Sequence, residues 1–178
     1  DPLIAYIKVA GYRAGLKLNV ALYGFDEVET LVLDADSSLY RNSPDAILIL
    51  LYLETASPKL ANQFTALTGE EVTEQVNALE SRILGLAQAI GDRSNSLILA
   101  GNFQTPVRLA WGVLDGRSGP GQRAAIGQLN ARIAEALNRS LNGYVLDIDR
   151  LSAALGDSVA NDPRNWHRAR APWKPALL

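Results

Sequence analysis

Four groups of residues carry types and spacings that suggest chemistry. Ala100-Gly101-Asn102-Phe103 closes an apolar run. A Gly-Asn pair at the end of a buried strand can aim the Asn102 carboxamide into a crevice, where its N–H stabilises a developing oxyanion. The same Asn also serves to cap a loop, and spacing alone favours that simpler role. A second group is Asp162-Pro-Arg-Asn-Trp-His167, which contains the chain's single His. Asp162 and His167 have the types needed for the orienter and base of a nucleophile–base–orienter set. With no nucleophile paired to them in the sequence, a surface His in a basic tail is the stronger reading.

The third group comprises two Asp-x-Asp pairs, Asp34-Ala-Asp36 and Asp147-Ile-Asp149. Paired carboxylates hold Mg²⁺ and attack phosphorus, as in the nucleophile loop of haloacid-dehalogenase-like phosphatases. The context favours turn and N-cap Asp residues instead. No crossover helix of adequate length follows Asp34, and too little chain follows Asp149 for further motifs. The fourth group is the tail, where Arg164, Arg168, Arg170 and Lys174 alternate with Trp166 and Trp173. Basic residues interleaved with aromatic ones can bind nucleic acid. A docking segment or linker toward another domain suits so short a stretch better.

Composition narrows these options. The chain has 178 residues, 48% hydrophobic and 20% charged, which suits one folded domain with a real core. A formal net charge of −2 gives no general attraction to nucleic acid or to an anionic membrane. There is no Cys, so disulfides, thiolate nucleophiles and thiolate metal sites are excluded. One His excludes a multi-histidine zinc site. The longest apolar run, from Ala46 through Leu53, is too short to span a bilayer, and no signal peptide is visible. A cytoplasmic location and no cofactor are therefore expected. With no Met and an Asp1-Pro2 start, the chain reads as a processed chain or a fragment.

The elements that must position these residues follow from periodicity. Leu3, Ile7, Ala10 and Ala14 predict a helix near 2–14, started by Pro2 and stopped by Gly15. Residues 18–23 predict a short strand, 27–33 a short helix and 34–42 a loop. The continuous apolar run at 45–53 predicts a parallel strand buried on both faces. Thr68 and Glu71 form a capping box before Val72, Val76, Leu79, Ile83, Leu86 and Ile90, with Gly91 ending that helix. A strand at 96–100, a long loop at 101–121, a helix around 121–138, a strand at 144–148 and a short helix at 149–155 complete the series. Strict alternation of helix and strand predicts an α/β fold, a three-layer α/β/α sandwich on a parallel, flavodoxin-like sheet. Ligands then bind at the carboxyl ends of the strands. Residues 1–155 form the domain, and 156–178 a basic tail or linker toward a following domain.

Taken together, the chain resembles the SGNH-like N-terminal region of FkbH-type proteins, in which that region precedes a haloacid-dehalogenase-like domain. The resemblance rests on three segments. These are Asp34 to Asp45 entering the buried strand, Trp111-Gly-Val-Leu-Asp115 with Asn130 in the next helix, and Asp162 to Pro175. It implies an SGNH-type sheet, with Gly101 and Asn102 matching the Asn block of the oxyanion hole and Asp162 the C-terminal Asp. The match departs at position 165, which is Asn, with the His displaced to His167, and no glycine block follows Leu50–Leu53. The catalytic set it implies is Asn102, Asp162 and His167, with Gly101, Gln104 and Arg164 against the substrate.

FkbH-type proteins move a glyceryl unit from a phosphorylated three-carbon donor onto an acyl carrier protein, through their phosphatase-like domain. The resemblance thus implies a domain that assists this transfer with a degenerate hydrolase site. Its partners would be the carrier protein or acyl substrate and the adjoining haloacid-dehalogenase-like domain. Two other functions remain open. One is a GDSL-type esterase whose nucleophilic Ser precedes residue 1. The other is a Mg²⁺-dependent phosphatase-like domain using Asp34 or Asp149. In the SGNH arrangement the first strand lies between those at 18–23 and 45–53. It is expected to come from a strand-donating segment or chain outside residues 1–178.

Overall fold

A computed structural model describes residues 2–24, 27–117, 119–139, 142–162, 164, 173, 174, 176 and 177. The chain forms two compact units, one of residues 29–149 and one of residues 1–28 with 150–178.

The larger unit is built on a parallel sheet. Its strands are β1 (Ala46–Ile49), β2 (Leu97–Gly101) and β3 (Gly143–Leu146), in spatial order β1-β2-β3. Ile47 lies beside Ile98, which lies beside Gly143, and the register continues to Ile49, Ala100 and Val145. Parallel neighbours cannot be joined by a tight turn, so the chain must cross over between them. Helix α6 (Gly69–Arg93) lies in the first crossover and α7 (Gln122–Arg139) forms the second. Consecutive order with crossovers of one hand puts both helices on the same face, and α6 indeed packs along α7.

The core lies under these two helices. Val76, Leu79, Ile83, Leu86 and Ile90 from α6 meet Ile126, Leu129, Ile133 and Leu137 from α7, all buried. Ile47, Ile49, Ile98 and Ala100 supply the sheet side. Each such Val, Leu or Ile side chain contributes roughly 1.5–3 kcal/mol on leaving water. Around this core sit the short helices α2 (Val28–Leu33), α3 (Ser38–Arg41), α4 (Leu53–Ala56) and α5 (Pro58–Asn62). The Tyr40 hydroxyl donates to the Val32 carbonyl at 2.7 Å, and Arg82 bonds Glu29, which ties α2 to α6.

The α/β class and the parallel sheet expected from sequence are present, in keeping with a flavodoxin-like sandwich. Several boundaries differ. The run at 45–53 is strand only to Ile49, and α4 begins at Leu53. It is not buried on both faces, because Ile47 and Ile49 are buried while Ala46 and Leu48 are exposed. Gly91 does not end α6, which continues to Arg93 and closes with the Ser94 N–H on the Ile90 carbonyl. One Gly costs a helix only about 1 kcal/mol, and the wholly buried Ile90 beside it holds this turn against the core.

In the smaller unit, α1 (Pro2–Arg13) ends in a Schellman turn. The Leu16 N–H donates to the Gly11 carbonyl and the Gly15 N–H to Tyr12, with Gly15 at φ 77°. Residues 18–23 are not a strand. Leu18 folds back onto α1, where a Cβ at Gly11 would lie 2.5 Å from its Cδ1. A strand persists only where a neighbour takes its backbone groups, and none of the described strands pairs there. Helix α8 (Ile148–Leu155) starts at the boundary of the two units. The short helix α9 (Asp157–Ala160) follows it, and Asn161 forms an antiparallel bridge with Trp173. No helix among the described residues is long and apolar enough to cross a membrane.

Ile133 is wholly buried between α7 and its neighbours, so Ile133→Ala should cost about 2–5 kcal/mol in urea unfolding. The α6 capping box is complete. The Thr68 backbone N–H donates to Glu71 at 2.8 Å, its hydroxyl donates to Glu71 at 2.9 Å, and the Glu71 N–H donates to Thr68 Oγ1 at 3.3 Å. These donors, the backbone N–H first, hold the Glu71 carboxyl below its ordinary 4.5. A carboxyl lowered on folding adds stability above its unfolded value, and loses it as pH falls through the lower folded value. Thr68→Ala should therefore lower the urea midpoint at pH 7, and the difference from the parent should shrink as pH drops below 4.5.

Candidate functional site

The carboxyl ends of the three strands meet at Gly101. A Cβ there would lie 2.8 Å from Leu50 Cδ2 and 3.4 Å from Ile148 Cγ1, so a side chain at this position would have to push Leu50 aside where the chain ends after β1 and β3 close on β2. The Asn102 N–H then extends the ladder by one bond, to the Leu146 carbonyl at 3.1 Å.

Asn102 is buried, 9% exposed, and its side chain turns into the protein. Its Nδ2 donates to Asp147 Oδ1 at 2.8 Å, and its Oδ1 accepts the Asp149 N–H at 3.0 Å. Asp149 belongs to the first turn of α8, whose leading N–H groups have no partner within the helix. Asn102 thus caps a helix from a different strand end. Asp149 in turn accepts the Thr105 N–H at 2.6 Å and the Thr105 hydroxyl at 3.3 Å. Between them, Phe103 is held by a reciprocal pair. Its N–H donates to Asn130 Oδ1 at 2.9 Å, and Asn130 Nδ2 donates to its carbonyl at 2.8 Å. The Asn130 carboxamide stands in for the neighbouring strand that the loop no longer has.

A second polar group fixes the long loop after β2. Asp115 accepts the Gln122 N–H at 2.8 Å and the Arg123 N–H at 3.1 Å, and so caps α7. A Cβ at Gly121 would lie 1.8 Å from the Asp115 carbonyl oxygen, so glycine is obligatory there. The buried Gln122 accepts the Ala110 N–H at 2.9 Å and donates to the Leu60 carbonyl at 2.8 Å. Beyond β1, burial pushes the Tyr52 hydroxyl up to about 12, with Glu54 adding to the shift, so Tyr52 stays protonated.

The residues expected to act chemically are placed as follows. Gly101 and Asn102 lie at the strand ends, and Gln104 is half-buried two residues beyond Asn102. Asp162 lies in the smaller unit. There Arg164 closes on it with three N–H groups, from its backbone, Nε and Nη2, each at 3.0 Å. These bonds hold the Asp162 carboxyl down to about 2. His167 lies outside the described residues. Asp34 accepts the Asp36 N–H at 2.9 Å in an Asx turn, as the turn reading expects. Among the described residues, no group of three His, Asp or Glu side chains is placed to hold a metal ion.

Sequence reasoning did not assign roles to Thr105 or Gln122, and it treated Asn130 and Asp115 only as marks of resemblance. Asp115 left no capping signal, since it stands seven residues before Gln122, the first residue of α7, and not beside it. For Asn130 there was none, because its partner is 27 residues away.

Asn102→Ala would leave Asp147 without its Asn102 bond and the Asp149 N–H uncapped. Asp147 is exposed and the Asp149 N–H part-buried, so the cost falls mainly on the lost cap, about 1 kcal/mol, and should read as a lower urea midpoint with an unchanged slope. A variant as stable as the parent would contradict the stapling role.

Comparison with known proteins adds three findings. The family described as "FkbH, N-terminal domain" matches residues 3–173. No curated protein matches the chain. Among solved structures, the chain is similar to a crystal structure of the N-terminal part of the protein BF1531 from Bacteroides fragilis, described as containing a phosphatase domain complexed with Mg. The TM-score is 0.74 at 16% identity, over 96% of this chain and 44% of that one. The chain thus spans less than half of that structure, and the likeness is one of fold.

Proposed function

The chain belongs to the FkbH N-terminal domain family, and from that premise we propose that it is a non-hydrolytic SGNH-like module that binds an acyl carrier protein. It presents the carrier to an adjoining haloacid-dehalogenase-like domain, which transfers the glyceryl or acyl unit in the cytoplasm. The observation that carries this reading is the wiring of Asn102. Its carboxamide oxygen caps α8 and its Nδ2 is bonded to Asp147. An oxyanion donor must instead point at the place where charge develops. Asp162 is similarly occupied by Arg164.

A donated strand along β1 is part of the same proposal. Among the described strands β1 pairs only with β2, and Leu48 on it is 38% exposed. A strand this apolar at an open edge is a template for another strand.

The test uses the full-length protein. Titration with a phosphopantetheinylated acyl carrier protein should give saturable binding in calorimetry, and p-nitrophenyl acyl esters should be turned over no faster than by Asn102→Ala. If the parent hydrolyses these esters and Asn102→Ala lowers the rate about a hundredfold or more, Asn102 is an oxyanion donor and the module is a hydrolase.

A further inference from the structure

The loop between β2 and α7 carries an arrangement that neither the fold nor the strand-end cluster uses. Val113 is 95% exposed, and Val107 and Leu114 are also exposed. Single exposed apolar residues are ordinary, whereas three in one loop concentrate apolar surface where it meets water. They are not on a slack segment. Trp111 packs edge-on against Phe64, with ring centroids 5.7 Å apart and planes at 73°. The Ala110 N–H is held by Gln122, and Asp115 is buried under the start of α7. Val113 and Leu114 sit in a 3-10 turn between these anchors, Gly112–Leu114. Gly112 turns the chain outward at φ 53°, a conformation that favours glycine.

The charge of this loop is one-sided. Arg108, Arg117 and Arg123 are exposed. The Arg117 N–H donates to the Leu114 carbonyl at 2.9 Å, which keeps Arg117 within a turn of the apolar tip. The only acid from 107 to 123 is Asp115, and both of its carboxylate oxygens face the N–H groups of α7. The loop and the first turn of α7 therefore present three cations and no exposed anion, on a chain whose formal net charge is −2. A held apolar tip with a cationic surround matches a protein surface of opposite design, an apolar patch bordered by acidic residues. Such pairing speeds encounter and sets orientation, while the buried apolar centre supplies the affinity.

We propose that residues 107–117, with Arg123, are the docking site for an acidic protein partner. On the reading of this chain as a carrier-binding module, that partner is the carrier protein itself. The geometry adds preorganisation. Because Trp111, Ala110 and Asp115 already hold the loop, binding loses little further conformational freedom.

The experiment titrates the phosphopantetheinylated acyl carrier protein into full-length parent protein and three variants, with circular dichroism of each. Val113→Ser with Leu114→Ser, and Arg108→Glu with Arg117→Glu, should each weaken binding tenfold or more. All four side chains are exposed, so both variants should keep the parent spectrum. Arg139→Glu, at an exposed site on α7 paired with Glu135, should bind as the parent does. Raising salt should weaken the parent but not the charge-reversed variant, whose repulsion from an acidic partner it screens. If the carrier binds the parent and the loop variants equally, the docking site is overturned while the carrier reading stands. If the carrier does not bind the parent at all, both fall. Loop-dependent binding to phosphatidylglycerol vesicles without carrier binding also overturns the proposal, in favour of a membrane surface.

Discussion

The requirement that parallel strands be joined by crossovers governs the larger unit. β1, β2 and β3 cannot be linked by tight turns, so long helical connections must return the chain to the start of each next strand. Consecutive strand order places α6 and α7 side by side on one face, and their mutual packing supplies most of the buried aliphatic surface. The helices also interact through Arg132, which bonds Asn77 at 2.7 Å and Glu80 at 3.2 Å. These groups are partly exposed, so such contacts add at most about 1 kcal/mol, and the apolar seam decides. The same topology delivers three strand ends to one place, where the polar residues of the chain gather.

At that place the need to satisfy buried polar groups takes over. Each loop leaving a strand carries N–H and C=O groups that the ladder no longer pairs. Asn102, Asn130, Asp149 and Asp115 supply partners for them, in three cases across separations of more than 25 residues. Side chains committed in this way are poor candidates for catalysis, because turning toward a substrate would strand the groups they now serve. A strand-end Asn on a parallel sheet is therefore not by itself an oxyanion hole. Its two polar atoms have to be followed to their partners.

Family membership and fold similarity carry different weight here. The family match covers nearly the whole chain, whereas the structural neighbour shares 16% identity and extends well past the matched region. Similar packing at such identity constrains the sheet and its crossovers far more than it constrains a site, since one fold hosts many functions. The loop after β2 illustrates this. Phe64, Asp115 and Gln122, which anchor it, are buried, while the exposed tip and its arginines are free to be set by a partner.

The amphipathic pattern of α6 and its capping box, the apolar strands β1 and β2 and the α/β alternation could all be read from the sequence, because they depend on neighbours within a few residues. Residues 18–23 could not. Their pattern suits a strand, yet a strand exists only if another offers its backbone groups, and Leu18 instead packs on Gly11. The length of β1 and its one-sided burial were likewise set by what covers the sheet, not by the composition of the run. The site divides in the same way. That Gly101, Asn102, Asp147 and Asp149 stand at strand ends follows from sequence order. Which of them bonds which is decided only when the sheet brings β2 and β3 to adjacent positions, because a hydrogen bond between residues 45 apart leaves no periodicity in the chain.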